Sequence, residues 1–240
     1  ASGGLHGVGA SVVNALSARL DVAVDRGGYT HAMSFRRGTP GVFASDAPTA
    51  SFTKSSGLVK GAKTARKTDT GTRIRFWADT QIFTPGAAFD LDEIHSRARQ
   101  TSYLVPGLRL VVSDERSGQA TEFHHVGGIG EFCEYLGSGS PVTPIIRLTG
   151  TGHFQETVPV LDDQGHMTPQ EVQRDMGVDI ALAWNDGYDT VSQSFVNIIA
   201  TPKGGTHVTG FERAVVKVVN EQLKAARLTK PGEESVTKDD

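Results

Sequence analysis

The hydrophobic positions of this chain change period several times, and each change marks an element. Val12, Val13, Leu16 and Leu20 fall at i, i+1, i+4 and i+8, one stripe of a 3.6-residue repeat, while Ser11, Asn14, Ser17 and Arg19 take the other face. That spacing predicts a helix from Ala10 to Leu20. Residues 21–25 then alternate, Arg26-Gly27-Gly28 turns, and Tyr29 to Phe35 alternates again, which predicts a hairpin packed on the helix. Residues 36–70 are rich in Gly, Pro, Ser and Thr without a sustained period and read as a long surface connection. Gly71 to Trp77 is a strand with Thr72, Ile74 and Phe76 at one parity, followed by a turn at Phe83-Thr84-Pro85-Gly86. Asp90-Leu91-Asp92-Glu93 opens a helix with carboxylates in its first turn, and Pro106 ends it. A second hairpin joins Leu108–Val112 to Ala120–His125, and Gly127-Gly128 is the expected domain boundary. Beyond it, residues 144–148, 153–161, 179–184 and 188–200 read as strands, with Trp184 in the core. A glycine turn capped by Thr206 leads into a last helix through Ala214, Val215, Val218, Val219 and Leu223. The stretch 231–235 is polar and broken by Pro and Gly.

The length of 240 residues with 38% hydrophobic content supports two domains with buried cores. A net charge of −3 argues against a surface that wraps nucleic acid throughout, so any DNA contact is local. One candidate is the run Lys54, Lys60, Lys63, Arg66 and Lys67, uninterrupted by acid: either a phosphate-contacting strip or a solvated loop. No aromatic interleaving there supports base stacking. The single cysteine, Cys133, has no basic neighbour, reads as a packed thiol and fits a reducing cytoplasm. With no long apolar run and no signal segment, the expectation is a cytoplasmic protein without a membrane partner. The chain lacks an initiator Met and opens inside its most distinctive motif, which suggests an internal fragment of a longer polypeptide. No metal site is expected. His124 and His125 alternate across a strand, and Asp162-Asp163-Gln164-Gly165-His166 lacks the spacing of a calcium loop.

The candidate chemistry lies at the start, where Gly3, Gly4, Gly7 and Gly9 run directly into the first predicted helix. Glycine lets the backbone reach positive φ, so successive N–H groups can converge on one point at the positive end of the helix dipole. Such a loop cradles anions, phosphates above all. It is neither a Walker A loop, since no Lys-Ser or Lys-Thr follows, nor a dinucleotide fingerprint after a strand.

The string Gly3-Gly4-Leu5-His6-Gly7-Val8-Gly9, continued by Ser11-Val12-Val13-Asn14-Ala15-Leu16-Ser17, closely resembles the ATP-lid glycine box of the B subunits of bacterial type IIA topoisomerases, DNA gyrase and topoisomerase IV. Arg75-Phe76-Trp77 and Thr201-Pro202-Lys203-Gly204-Gly205-Thr206-His207 are the other strings that carry the resemblance, which covers essentially the whole chain. It implies an α+β protein: residues 1–127 as the C-terminal part of a gyrase-type (Bergerat, GHKL) ATPase α/β sandwich, and residues 128–240 as an incomplete α/β transducer domain of the ribosomal S5 domain 2-like type. Residues 128–136 then match the first transducer helix. It implies ATP binding through Gly4, Leu5, His6, Gly7, Val8 and Gly9, with Thr72 under the adenine. The general base and the ligand for Mg²⁺ are implied to lie upstream of Ala1, and a lysine for the γ-phosphate beyond Asp240. No residue of this chain is therefore expected to be catalytic or to bind metal, and the chain alone is expected to be inactive. The implied activity is an isomerase's ATP-driven passage of one DNA duplex through another: supercoiling, relaxation or decatenation. The implied partners are the topoisomerase A subunit, a second B subunit in an ATP-dependent dimer clamp, and double-stranded DNA. The insertion at 162–166 is more like topoisomerase IV than gyrase. Two alternatives stay open: another ATPase of the GHKL superfamily, such as a sensor kinase, mismatch-repair protein or chaperone, and a non-enzymatic partner module.

Overall fold

The computed structural model describes residues 7–55, 58–64, 66–161, 164–187, 189–229 and 235–238. They fall into two compact units, one ending at Phe89 and the next beginning at Asp90.

The first unit is built on an antiparallel sheet. Helix α1 (Gly9–Ala15) is followed after one residue by strand β1 (Ser17–Arg26), then β2 (Tyr29–Arg36), β3 (Thr39–Phe43), β4 (Phe52–Lys54), β5 (Val59–Lys63) and β6 (Gly71–Ala78). The sheet order is β4-β3-β2-β1-β6, with β5 also on β2. Two expectations are corrected here. The helix stops at Ala15 and does not continue to Leu20, because Leu20 is claimed on both edges by sheet partners, Phe35 of β2 and Phe76 of β6. The Ser17 hydroxyl closes the helix on the Val13 carbonyl at 2.6 Å, and Asp79 N–H takes the Leu16 carbonyl at 3.0 Å. Residues 36–70, read as a surface connection, supply three short strands. Three to five residues are too few to show a period, and cross-strand pairing alone selects them.

Alternation along β1 sorts the sheet into two faces. Leu20, Val22 and Val24 stand beside Phe35, Met33 and His31 on one edge, and beside Phe76, Ile74 and Thr72 on the other. This apolar face is open: Ile74 is 58% and Phe76 41% exposed, and Val12, Val13 and Leu16 are exposed as well. The opposite face is a lattice of charges. Arg19, only 4% exposed, donates from Nε to both oxygens of Asp21 at 3.0 Å and from Nη1 to the carbonyls of Ser45 and Ala47 at 2.8 Å. Its guanidinium lies over the rings of Phe43 and Trp77, at 4.1 and 5.2 Å. Arg75 reaches Asp21 at 3.1 Å, and Arg73 reaches Asp25 at 3.2 Å. Burial pushes the Asp21 carboxyl up, but hydrogen bonds from Arg19, Ser34 and Arg75 outweigh it and hold the pKa below the usual carboxylate range.

The second unit starts with α2 (Leu91–Leu104), capped by Asp90 Oδ1, which accepts from the N–H groups of Asp92 and Glu93 at 2.9 and 3.1 Å. Strands β7 (Arg109–Asp114) and β8 (Gln119–His124) form the expected hairpin, followed by α3 (Ile129–Leu136). Tyr103 of α2, Phe123 of β8 and Phe132 of α3 are its buried apolar side chains. Tyr103 stacks on His125 at 3.7 Å and on Phe132 at 4.9 Å between ring centroids. Cys133 is half-buried, and burial raises its thiol pKa, as a packed thiol requires.

Strands β9 (Ile146–Leu161) and β10 (Met167–Leu182) make one long two-stranded ribbon in unbroken register, so the separately expected strands 144–148, 153–161 and 179–184 are its parts. Asp162 and Asp163 lie outside the described residues. At its base, Arg147 holds Asp179 at 2.9 Å and donates to the Gly127 carbonyl at 3.1 Å. The strand expected over 188–200 reduces to the pair β11 (Phe195–Val196) and β12 (Ile199–Ala200). Trp184 is 47% exposed rather than core, since it sits past the end of β10, where its backbone carbonyl accepts from Val142 and Thr143 N–H and its N–H donates to Thr143 Oγ1. Helix α4 (Thr206–Ala225) begins at Thr206 itself, so Thr206 is not its cap. Gly205 precedes it at φ +155°, where a Cβ would stand 2.9 Å from the His207 ring.

Buried Asp79, 2% exposed, gives the fold a pH dependence. Hydrogen bonds from Arg37 and from the Gln81 N–H hold its carboxyl below the usual range. A depressed folded pKa stabilises above the unfolded value of about 3.9 and loses that contribution as pH falls through the folded value. Thermal melts followed by circular dichroism are expected to be flat from about pH 5 to 8 and to fall below about pH 4. Asp79→Asn is expected to lower the plateau and soften the acid decline; an unchanged acid limb would contradict this role.

Candidate nucleotide-binding site

The described end of the glycine loop, Gly7 to Gly9, leads directly into α1. Gly7 sits at φ +66°, a conformation that glycine adopts without steric cost. Val8 (φ −95°, ψ −6°) is the residue before α1 and offers no side-chain cap. The first helical hydrogen bond runs from Val12 N–H to the Val8 carbonyl at 2.9 Å, so the helix leaves the N–H groups of Gly9, Ala10 and Ser11 without an internal acceptor. With only seven residues in α1, these N–H groups contribute more than its dipole. Among the described residues a Cβ at Gly7 or at Gly9 would meet nothing within 4 Å. Gly9 itself is helical, so of the two described glycines of the loop positive φ is found at Gly7. Gly4, Leu5 and His6 lie outside the described residues.

Thr72 is exposed near the start of β6, opposite Val24 of β1. It stands on the apolar face, next to a concavity of about 300 Å³ lined by Val22, Val24, Arg26, His31, Met33 and Leu58. The two parts of the expected site are joined through the sheet: α1 runs into β1, β1 pairs with β6, and the far end of β6 returns through Asp79 to the C-terminus of α1. Sequence reasoning missed Asp79 and Arg37, whose ion pair anchors that return; Asp79 belongs to no periodic run, and Arg37 lies at φ +50° in a turn.

This arrangement supplies phosphate donors, a hydroxyl and an apolar surface, which is chemistry for binding. Among the described residues no carboxylate stands free beside it. Asp21 and Asp25 face away from Thr72, and Asp79 is committed to Arg37. Among the described residues no group of His, Cys, Asp and Glu side chains is placed to hold a metal ion.

A family profile described as DNA gyrase B matches residues 128–240. Over its whole length the chain is similar to the B subunit of DNA gyrase from Enterococcus faecalis, at 33% identity over 242 residues, and to that from Halalkalibacterium halodurans, at 35% over 243. The Streptococcus pneumoniae protein is 34% identical over 242 residues. The chain spans about a third of the length of these curated relatives, 32% of each. Among solved structures, the 43K ATPase domain of Thermus thermophilus gyrase B in complex with an aminocoumarin superposes with a TM-score of 0.68 at 28% identity, covering 98% of this chain and 54% of that one.

Gly7→Val puts a branched Cβ at positive φ, costing on the order of 1 to 3 kcal/mol at the loop. Calorimetric titration of the intact protein with a non-hydrolysable ATP analogue is expected to show at least a tenfold loss of affinity with the fold retained. Normal binding by Gly7→Val would overturn the cradle.

Proposed function

Because the chain belongs to the DNA gyrase B family, we propose that it carries the phosphate-cradle part of an ATPase site and the start of a transducer domain, within the B subunit of a type II DNA topoisomerase. ATP binding and hydrolysis by that subunit then drive passage of one DNA duplex through another. The observation that carries this reading is the uncapped N-terminus of α1 behind Gly7, where the N–H groups of Gly9, Ala10 and Ser11 have no acceptor within the helix. Gly4, Leu5, His6, Gly7, Val8 and Gly9 contribute the loop, and Thr72 contacts the adenine from the apolar face. That face suits a layer of further ATPase residues. A second observation points the same way: Asn14 Oδ1 on α1 is buried without a hydrogen-bond partner among the described residues, an acceptor that such a layer can satisfy.

The division of labour is an ATPase part over residues 1–127 and a transducer part from 128. Support comes from Gly128, at φ +67° immediately before α3, and from the family profile, which starts at that residue. The compact unit from Asp90 straddles the boundary, since α2 and α3 share the Tyr103 stack. Arg147, bound to the Gly127 carbonyl, and Glu131, which accepts from Gly127 N–H at 2.8 Å, would transmit movement across it. The subunit works with a topoisomerase A subunit, a second B subunit and double-stranded DNA. Magnesium accompanies ATP when bound. By the family resemblance, its ligand and the general base come from other residues of the subunit.

The 240-residue chain purified alone is expected to release no phosphate from ATP above a no-protein blank, since a water-activating carboxylate contributes about 10² to 10⁴ in rate. The intact subunit with its A partner and DNA is expected to hydrolyse ATP. Hydrolysis by the chain alone would place the base within it and refute this division.

A further inference from the structure

The chain carries −3 overall, yet between Arg26 and Arg75 it has ten lysines and arginines against two carboxylates, Asp46 and Asp69. The structure gathers part of this charge at one end of the first sheet. Lys63 of β5 pairs with Tyr29 and Lys60 with His31, next to the β1–β2 turn. Thr64 N–H bonds the Gly28 carbonyl at 3.0 Å, and the Lys67 side chain packs against that same turn, 3.4 Å from where a Gly28 Cβ would lie. Adjacent strands stand about 5 Å apart, so these cations share one field within a Debye length of about 10 Å.

That field is not spent internally. Among the described residues, the carboxylates of this unit are engaged elsewhere: Asp25 by Arg73, Asp69 by Arg66, Asp79 by Arg37, and Asp21 and Asp46 by Arg75. Lys54, Lys60, Lys63 and Lys67 form no ion pair there, and Lys60 Nζ lies 3.5 Å over the Tyr29 ring, which leaves its charge intact. The aromatic rings of the region are already covered, Tyr29 by Lys60 and Phe52 by Arg36, so none is free to stack an unpaired base.

We propose that the lysines around the β1–β2 turn, Lys60, Lys63 and Lys67, form a contact surface for the phosphate backbone of double-stranded DNA. The charge is concentrated, unpaired and without stacking platforms, which suits the dense phosphates of a duplex and reads no sequence. The choice of DNA over another polyanion rests on the proposed topoisomerase role; the surface itself does not. It lies at the other end of β1 from α1 and gives the subunit a hold on a duplex in its ATPase part.

The test is fluorescence anisotropy of a 40-base-pair duplex titrated with the intact protein between 50 and 200 mM KCl. Lys60→Gln/Lys63→Gln/Lys67→Gln is expected to flatten the slope of log affinity against log salt by about 2 to 3, on the rule of about 0.9 per phosphate contact, equally for unrelated sequences. The triple Lys→Arg variant keeps the charge and is expected to keep the slope. An unchanged slope in the Gln variant would overturn the proposal, as would displacement of duplex by polyglutamate as effective as by competitor DNA, which would mark an acidic protein as the occupant. Binding of an ATP analogue, measured on the same samples, is expected to be equal in all three proteins. Its absence from the wild type would defeat the nucleotide-site reading alone, and the salt slope would still decide the surface.

Discussion

The first unit depends on a junction of one residue. Leu16 separates the last turn of α1 from β1, and its carbonyl is held by Asp79 N–H from the end of β6. The helix therefore cannot rotate or slide without disturbing β1, which pairs with β2 on one edge and β6 on the other. The buried Asp79 carboxylate, fixed by Arg37 and Gln81, makes that clamp specific, since an unpaired charge there would be costly. Gly7 to Gly9 thus receive their position from the sheet, through seven helical residues.

Strict alternation on β1 then divides the labour between two faces. Arg19, Asp21, Arg73 and Arg75 tie the strands together on one side with charge-assisted hydrogen bonds and ring contacts. The other side is mainly apolar, with His31 and the Thr72 hydroxyl among its polar groups. A concavity of mostly apolar lining with a few polar groups is the usual composition of a small-molecule site. The second unit uses a different device: an aromatic stack of His125, Tyr103 and Phe132, with Glu131 linking the His125 ring to the Gly127 backbone at 3.1 and 2.8 Å.

Local chemistry made the glycine loop, the Asp90 cap and the two hairpins legible, because each depends on residues close in sequence. The glycine loop was the most informative, since its pattern is tied to a backbone conformation that the structure shows at Gly7. What stayed hidden was set by distant partners. Leu20 satisfies a helical stripe as well as a strand, and only Phe35 and Phe76 decide between them. Strands β3, β4 and β5 carry no period of their own. The long ribbon reads as separate strands because Gly150 and Gly152 interrupt the pattern of β9 and Pro169 that of β10, yet their partners keep the register. Arg19 looked like a solvent-facing helical residue, and its buried role needed Asp21 two positions on and carbonyls 26 and 28 residues away.

The central claim is that backbone N–H groups at the head of α1 hold the phosphates. Amide hydrogen exchange of the intact protein, resolved at Gly7 through Ser11, tests it most directly. These amides have no acceptor within the helix, so they are expected to exchange fast in the free protein and to slow by at least an order of magnitude with a non-hydrolysable ATP analogue. Equal exchange at these positions with and without bound analogue, alongside protection elsewhere, would contradict the claim.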